Sequence, residues 1–197
     1  MLLVGAPAVL PQVAVANESA VEFSLHVEIA TVDGEPVVSE EWIEAHRQAA
    51  NSIFGPAHVQ FTSMDVNTNG EMAPDLITRA DRHRLGPLVD SGRGDIHVFV
   101  VRSMADVDVE DRLLRGVHWR SNRGGGFRHF VVLTTLARPN VLAHELGHFF
   151  GNPHSDTPGN IMSYQRGEGP PFFDAAQLRR IRRFRERFLR SGELVPR

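Results

Sequence analysis

His144-Glu145-Leu146-Gly147-His148-Phe149-Phe150-Gly151-Asn152-Pro153-His154 is the stretch from which the rest of the chain is read. Residues four apart on an α-helix lie one above the other on the same face, so His144 and His148 aim two imidazoles at one point. A helix cannot bring a third ligand to that point without distortion. Gly151 stands where a helix end takes a residue of positive φ, which glycine adopts without a Cβ clash. Pro153 cannot continue a helix, and His154 then arrives from a separate direction. Three imidazoles suit zinc, and a set of three protein ligands leaves a fourth position open for water or substrate.

Glu145 is beside a ligand in sequence but rotated about 100° from it around the helix. Its carboxylate is thereby kept out of ligation and close to the open position. There it is expected to take a proton from the attacking water and hand it to the leaving amine. Zinc supplies the charge that polarises the scissile carbonyl. Eight residues after His154 comes Met162, inside Asn160-Ile161-Met162-Ser163-Tyr164. Residues 130–133 read as a strand, and Pro139 suits a first helical turn, so the helix bearing the motif spans residues 137–150.

The pattern His-Glu-x-x-His-x-x-Gly-x-x-His followed by a methionine-bearing turn resembles the metzincin clan of zinc metallopeptidases. The resemblance is specific over residues 144–164. It implies an α+β fold, with a twisted mixed β-sheet and two helices above the cleft, and the Met-turn and a C-terminal helix below. It makes His144, His148 and His154 the zinc ligands, Glu145 the general base and acid, and Met162 a hydrophobic floor under the metal. Ser155, directly after the third histidine, is similar to the matrixin branch. Tyr164, two residues after Met162, is similar to the astacin and serralysin branches, where such a tyrosine ligates zinc or supports the transition state; a packing or hydrogen-bonding role is the alternative. The mixture leaves the subfamily unassigned. Matrixins use a propeptide cysteine for latency, and this chain contains no cysteine.

At 197 residues the chain is long enough for one domain with a good core. Its formal charge of −3 and 23% charged residues give no reason to expect nucleic acid as a partner, and no apolar run is long enough to span a bilayer. The partner expected is a protein or peptide substrate. All basic residues are arginine. Residues 1–16 are apolar and end in Ala14-Val15-Ala16, a pattern like a signal-peptidase site, but lack a positive start. They read as a signal-peptide remnant, a short propeptide or a first strand. A secreted or periplasmic protein is the corresponding expectation. Residues 17–191 form the catalytic domain, and residues 192–197 a tail whose Leu194-Val195-Pro196-Arg197 resembles a tag-cleavage remnant and is set outside the fold.

Between the ends, residues 21–32 alternate as a strand, and Ser39 caps a helix with Trp42, Ala45, Ala49 and Ile53 as its apolar stripe, ended by Gly55-Pro56. Strands follow at 58–64 and 95–102, with a short edge strand at 116–120 and a Gly124-Gly125-Gly126 turn before a strand at 128–134. Asp174 caps a last helix with Leu178, Ile181, Phe184 and Phe188 as its buried face. Three features tempt. Asp65-x-Asn67-x-Asn69-Gly70 resembles the first half of a calcium loop, but Leu76 stands where a bidentate glutamate belongs, so Ca2+ is weakly supported beside Zn2+. Arg93-Gly94-Asp95 reads as a turn. Arg179, Arg180, Arg182, Arg183, Arg185, Arg187 and Arg190 read as a solvated face on the last helix. His118 and His129 flank the edge strand without an assigned role. Two rival functions stay open beside the peptidase: a zinc-bearing binding protein with a blocked cleft, and a hydrolase of non-peptide amides.

Overall fold

The computed structural model describes residues 19–90, 92–122 and 127–197. The readings made for residues 1–16 and for the Gly124-Gly125-Gly126 turn lie outside them. In chain order the elements are β1 (Val21–Val32), β2 (Glu35–Pro36), α1 (Glu40–Phe54), β3 (Val59–Asn69), β4 (Asp75–Leu76) and α2 (Arg79–Arg84). They continue with β5 (Ile96–Val101), β6 (Ser103–Met104), β7 (Gly116–Ser121), β8 (Arg128–Thr134), α3 (Asn140–Phe149) and α4 (Ala175–Ser191).

The main sheet runs β2-β1-β5-β8-β7, with β3 also paired to β1. β3, β1, β5 and β8 are mutually parallel, while β7 is antiparallel to β8 and forms an edge. Parallel strands are covered on both faces, and all six residues of β5 are buried. On one face Phe23, Leu25, Val27, Ile29, Val98, Val100, Val131 and Leu133 meet the helices α1, α3 and α4. Phe54 and Phe150 anchor that layer: Phe54 packs its ring against Phe61, Phe150 and Phe173, and Phe150 also touches Phe23 and Phe188. On the other face Ala30, Phe99, Val101, Phe130 and Val132 are covered by Met72, Leu76, Leu85 and Met104, from the irregular segment 70–115. This is the expected α+β architecture.

The helix caps match their reading. Ser39 Oγ accepts from Trp42 N at 3.3 Å, and Asp174 caps α4 in a reciprocal box with Gln177. The buried face of α1 does not match. It is Ile43, His46, Ala50, Ile53 and Phe54, while Ala45 is exposed and Trp42 only half-buried. The stripe is rotated because His46 goes inside, its Nδ1 bonded to the Trp42 carbonyl at 2.8 Å. The helix α3 starts at Asn140, with Pro139 as its cap.

The calcium half-loop is not a loop. Asp65, Asn67 and Asn69 alternate along β3, which runs past residue 64 to Asn69. Period-two spacing puts all three on one face of a strand. There Asp65 accepts from Arg93 Nη1 at 2.6 Å and meets His26 Nδ1 at 3.1 Å, and Asn69 Nδ2 donates to Glu28 at 2.7 Å. Asp65 is held below its ordinary pKa chiefly by Arg93. The calcium reading is therefore withdrawn.

Two further readings change. Arg185 is not part of a solvated face: it is buried, and donates to the Ala57 and His58 carbonyls at 3.4 and 3.3 Å. Arg182 Nη2 reaches the Pro56 carbonyl at 2.7 Å. The two arginines thus dock α4 onto the turn that ends α1. The tail is also part of the packed structure. Leu194 is buried in the helical-face core, Val195 N donates to the Gly94 carbonyl at 3.0 Å, and Arg197 N donates to the Glu22 carbonyl at 3.0 Å. Arg197 also pairs with Asp95, the last residue of the Arg93-Gly94-Asp95 turn.

Candidate metal centre

The helix α3 leaves β8 after a short turn and runs across the sheet with Leu142, Ala143, Leu146 and Phe149 buried against it. That orientation fixes which side of the helix His144 and His148 occupy. The helix ends as the glycine requires: Gly151 has φ +83°, with its N–H on the His148 carbonyl at 2.9 Å. A side chain there has no room, because a Cβ would lie 2.5 Å from the Phe184 ring of α4. The chain then reverses, with Asn152 N bonded to the Gly147 carbonyl at 2.9 Å, and delivers His154.

The three imidazoles converge. One nitrogen from each of His144, His148 and His154 lies within 4.8 Å of the others, and the Nε2 atoms of His148 and His154 are 3.1 Å apart. Nitrogens at such spacing could share one small cation. Among the described residues this is the one cluster of its kind. The second nitrogens are occupied as ligand histidines require. His144 Nδ1 donates to the Ile161 carbonyl and His148 Nδ1 to the Asn152 carbonyl, both at 2.7 Å. Each bond leaves the Nε2 lone pair free to face a metal. Burial lowers the pKa of His144, and pushes that of His148 down to about 4, so both are neutral, the form that ligates.

Glu145 is buried, and burial pushes its pKa up to about 8 against a single opposing hydrogen bond. That bond comes from the edge strand: His118 N donates to Glu145 Oε2 at 2.7 Å. Gly116 makes the approach feasible. A Cβ on it would lie 2.7 Å from Val141 Cγ1 and 3.1 Å from Glu145 Oε1, so any side chain would wedge β7 away from α3. A carboxyl group whose pKa lies near neutrality is matched to proton transfer in both directions.

Met162 is fully buried beneath α3, its sulfur pressed against the Gly147 position. Its turn is locked from both sides. Ser155 N donates to the Met162 carbonyl at 3.0 Å, and Asn160 Oδ1 accepts from Met162 N at 2.9 Å. The Asn160 side chain is itself gripped by Gln177 of α4, at 2.8 and 3.1 Å. Tyr164 is exposed, and its hydroxyl oxygen lies 2.9 Å from His154 Nε2. All five residues singled out from sequence, His144, Glu145, His148, His154 and Tyr164, are thus brought together.

Sequence reasoning missed Gly116, Asn160, Gln177 and the His118 amide. Gln177 had a signal, being the third residue after the Asp174 cap; the edge-strand contact had none. His118 and His129 do approach the site, but from behind the edge strand. His118 Nε2 and His129 Nδ1 are 3.1 Å apart, and His129 Nε2 meets Glu193 at 2.6 Å. The His129 ring stacks on Phe149 with centroids 3.9 Å apart.

No family model matches the sequence, and no curated protein matches it. Solved structures do match. Mature mirolysin of Tannerella forsythia, in complex with a cleaved peptide, is 13% identical and superposes with a TM-score of 0.62 over 90% of this chain and 98% of that one. Metalloproteinase-II from Bacteroides fragilis gives 14% identity and a TM-score of 0.58, over 85% of this chain and 55% of that one. Archaemetzincin from Methanopyrus kandleri gives 15% identity and 0.56, over 84% and 96%. At these identities the likeness is one of fold: the α+β fold of this chain is similar to that of mirolysin and archaemetzincin.

Proposed function

We propose that this chain is a zinc-dependent endopeptidase in which water, activated at the metal and by Glu145, hydrolyses a peptide bond. The observation that carries the reading is the convergence of three imidazoles beside a buried carboxyl group. The donor set fits zinc: three converging imidazole nitrogens, with the Nδ1 atoms of His144 and His148 tied to carbonyls so that their Nε2 atoms are left to ligate. When bound, zinc polarises the scissile carbonyl and makes water a stronger acid.

The chain's own residues do the rest. Glu145 holds a proton at its carboxyl group, receiving it from the attacking water and releasing it to the leaving amine. The His118 amide fixes the carboxyl group in place. Tyr164, whose hydroxyl lies 2.9 Å from His154 Nε2, would hydrogen-bond the developing oxyanion. The substrate lies extended and antiparallel along β7, the edge strand of the sheet, and is held by strand addition. Mirolysin, with its cleaved peptide, shows that a protein of this fold handles a peptide.

The test is digestion of an unfolded protein substrate by the zinc-loaded protein, with Glu145→Ala alongside and zinc content measured for both. Wild type is expected to cut. Glu145→Ala is expected to keep one zinc and lose about 10³-fold or more in rate, as removal of a general base does. A variant that cuts at the wild-type rate would falsify the mechanism.

A further inference from the structure

The edge strand β7 does a demanding job with little support. Among the described residues it pairs with β8 alone, yet its His118 amide meets the Glu145 carboxyl group at 2.7 Å. The His118 side chain shows what else holds it. Its Nε2 lies 3.1 Å from His129 Nδ1 on β8, and His129 Nε2 lies 2.6 Å from Glu193 Oε1. Glu193 directly follows the end of α4. Gly192 before it has φ +72°, Glu193 N donates to the Phe188 carbonyl at 3.1 Å, and Leu194 after it is buried. The backbone that carries the carboxylate is thus fixed on both sides. A hydrogen-bonded line runs from the end of α4 through β8 and β7 to Glu145 of α3.

The line has a direction. A carboxylate only accepts, so a neutral His129 carries its proton on Nε2. Its Nδ1 is then a lone pair, and the proton between the two rings belongs to His118 Nε2. Burial pushes the His118 ring down to a pKa of about 2, so that ring is neutral and has one N–H to give. Glu193 therefore sets the tautomers of both rings from one end. The rings are also braced by α3: His129 stacks on Phe149 with centroids 3.9 Å apart, and His118 lies against the same ring at 5.6 Å. Apolar side chains would fill this place without the cost of burying polar groups. What a satisfied polar line adds is orientation, and its last member is the residue whose own amide holds Glu145.

We infer that Glu193, His129 and the His118 ring are positioning residues, which hold the edge strand so that the His118 amide keeps Glu145 in its working orientation. The inference rests on the peptidase reading and extends the machinery of that site to the end of α4.

The test uses zinc-loaded wild type, Glu193→Ala, Glu193→Gln, His129→Phe and the pair Glu193→Ala/His129→Phe, with kcat, KM and zinc content measured for each. His129→Phe keeps an aromatic ring against Phe149 and removes both hydrogen bonds; Glu193→Gln keeps an acceptor for His129 Nε2. Glu193→Ala and His129→Phe are each expected to lower kcat about tenfold, as displacement of a reacting group does, with KM and zinc content unchanged. Glu193→Gln recovers most of the loss, and the pair is no slower than either single variant, because both break one line. An unchanged kcat in Glu193→Ala and His129→Phe overturns the inference. So does a loss that Glu193→Gln fails to recover, or losses that add in the pair. Imidazole nitrogen spectra of metal-free wild type and Glu193→Ala give a reading that needs no turnover. Wild type is expected to show His118 as the Nε2–H tautomer alone, and Glu193→Ala a mixture of the two. If nothing is cleaved and the tautomer responds to Glu193, the peptidase reading falls and the hold on the edge strand stands. A His118 tautomer that is the same in both proteins sinks the inference whatever the rates.

Discussion

The two faces of the sheet are built by different means. The helical face is covered by α1, α3 and α4, and its apolar layer is continuous from Phe23 to Leu133. The other face is covered by the irregular segment 70–115, and is apolar only in part. Its remaining portion is a polar cluster of His26, Glu28, Asp65, Asn69 and Arg93, with the His97 ring 4.8 Å from that of His26. All the convergent metal-site chemistry lies on the helical face. Capped helices hold ligands in fixed orientation, and second partners such as the Ile161 and Asn152 carbonyls require that order. The loop-covered face packs against β7 through Val117 and Trp119 and holds none of the three histidines.

That contrast can be broken by experiment. Phe54→Ala and Phe99→Ala each remove a fully buried ring, one from each face, and each is expected to cost about 3–5 kcal/mol in chemical denaturation. They should differ in function: Phe99→Ala is expected to keep wild-type zinc affinity when assayed below its melting temperature. Equal loss of zinc affinity in both would show that the faces act as one.

A second experiment sharpens the comparison through pH. In the metal-free protein Glu145 has its pKa raised to about 8 from an ordinary value of 4.5. Between these values the folded chain binds more protons than the unfolded one, so stability falls as pH rises from about 4.5 to about 8. Glu145→Gln keeps an acceptor for the His118 amide and removes the charge. It is expected to melt higher than wild type at pH 9 with chelator present, by an amount on the order of a few kcal/mol, and to lose that advantage at pH 4. His148 works in the opposite sense. Its pKa is depressed to about 4, so stability is lost as pH falls from 6.5 toward 4. An Asp65→Asn change on the other face should leave the alkaline limb untouched.

Asn160→Ala tests the lock between α4 and the methionine turn. It strands the buried Gln177 amide and frees Met162 N, with an expected cost of about 1–3 kcal/mol. Because the adjacent Ile161 carbonyl orients His144, zinc affinity should fall about 10- to 100-fold in a competition titration. The smallest effect belongs to the polar cluster. Arg93→Ala breaks a half-exposed ion pair with Asp65 and is expected to change stability by less than about 1 kcal/mol. A larger loss would mean that the cluster organises the loop-covered face.

What could be read from sequence was what depends on neighbours along the chain. The spacing of His144, His148, Gly151 and His154 is a local matter of helix pitch and one turn, and so are the caps at Ser39 and Asp174. Errors came where a local pattern has two solutions. Asp65, Asn67 and Asn69 fit the odd positions of a calcium loop and equally one face of a strand, and only pairing with β1 decides between them. On α1, a stripe drawn through Trp42, Ala45, Ala49 and Ile53 leaves out His46, which is buried and turns the true face by part of a turn. The segment 70–95 has no hydrophobic period, so β4 and α2 carried no signal; β6, just beyond it at Ser103–Met104, pairs with β4 and went equally unread. The meeting of Gly116 and His118 with Glu145 spans 27 residues between the amide and the carboxylate, and depends on how β7 lies over α3.

That meeting has a spectroscopic consequence. An amide on the open edge of a sheet ordinarily exchanges its hydrogen quickly with solvent. The His118 amide is tied to a buried carboxyl group, and should be slow. Its proton resonance should move downfield when Glu145 ionises and return when the group is neutral. One backbone signal, followed in the metal-free and zinc-loaded protein, would therefore act as an internal gauge of the charge on the Glu145 carboxyl.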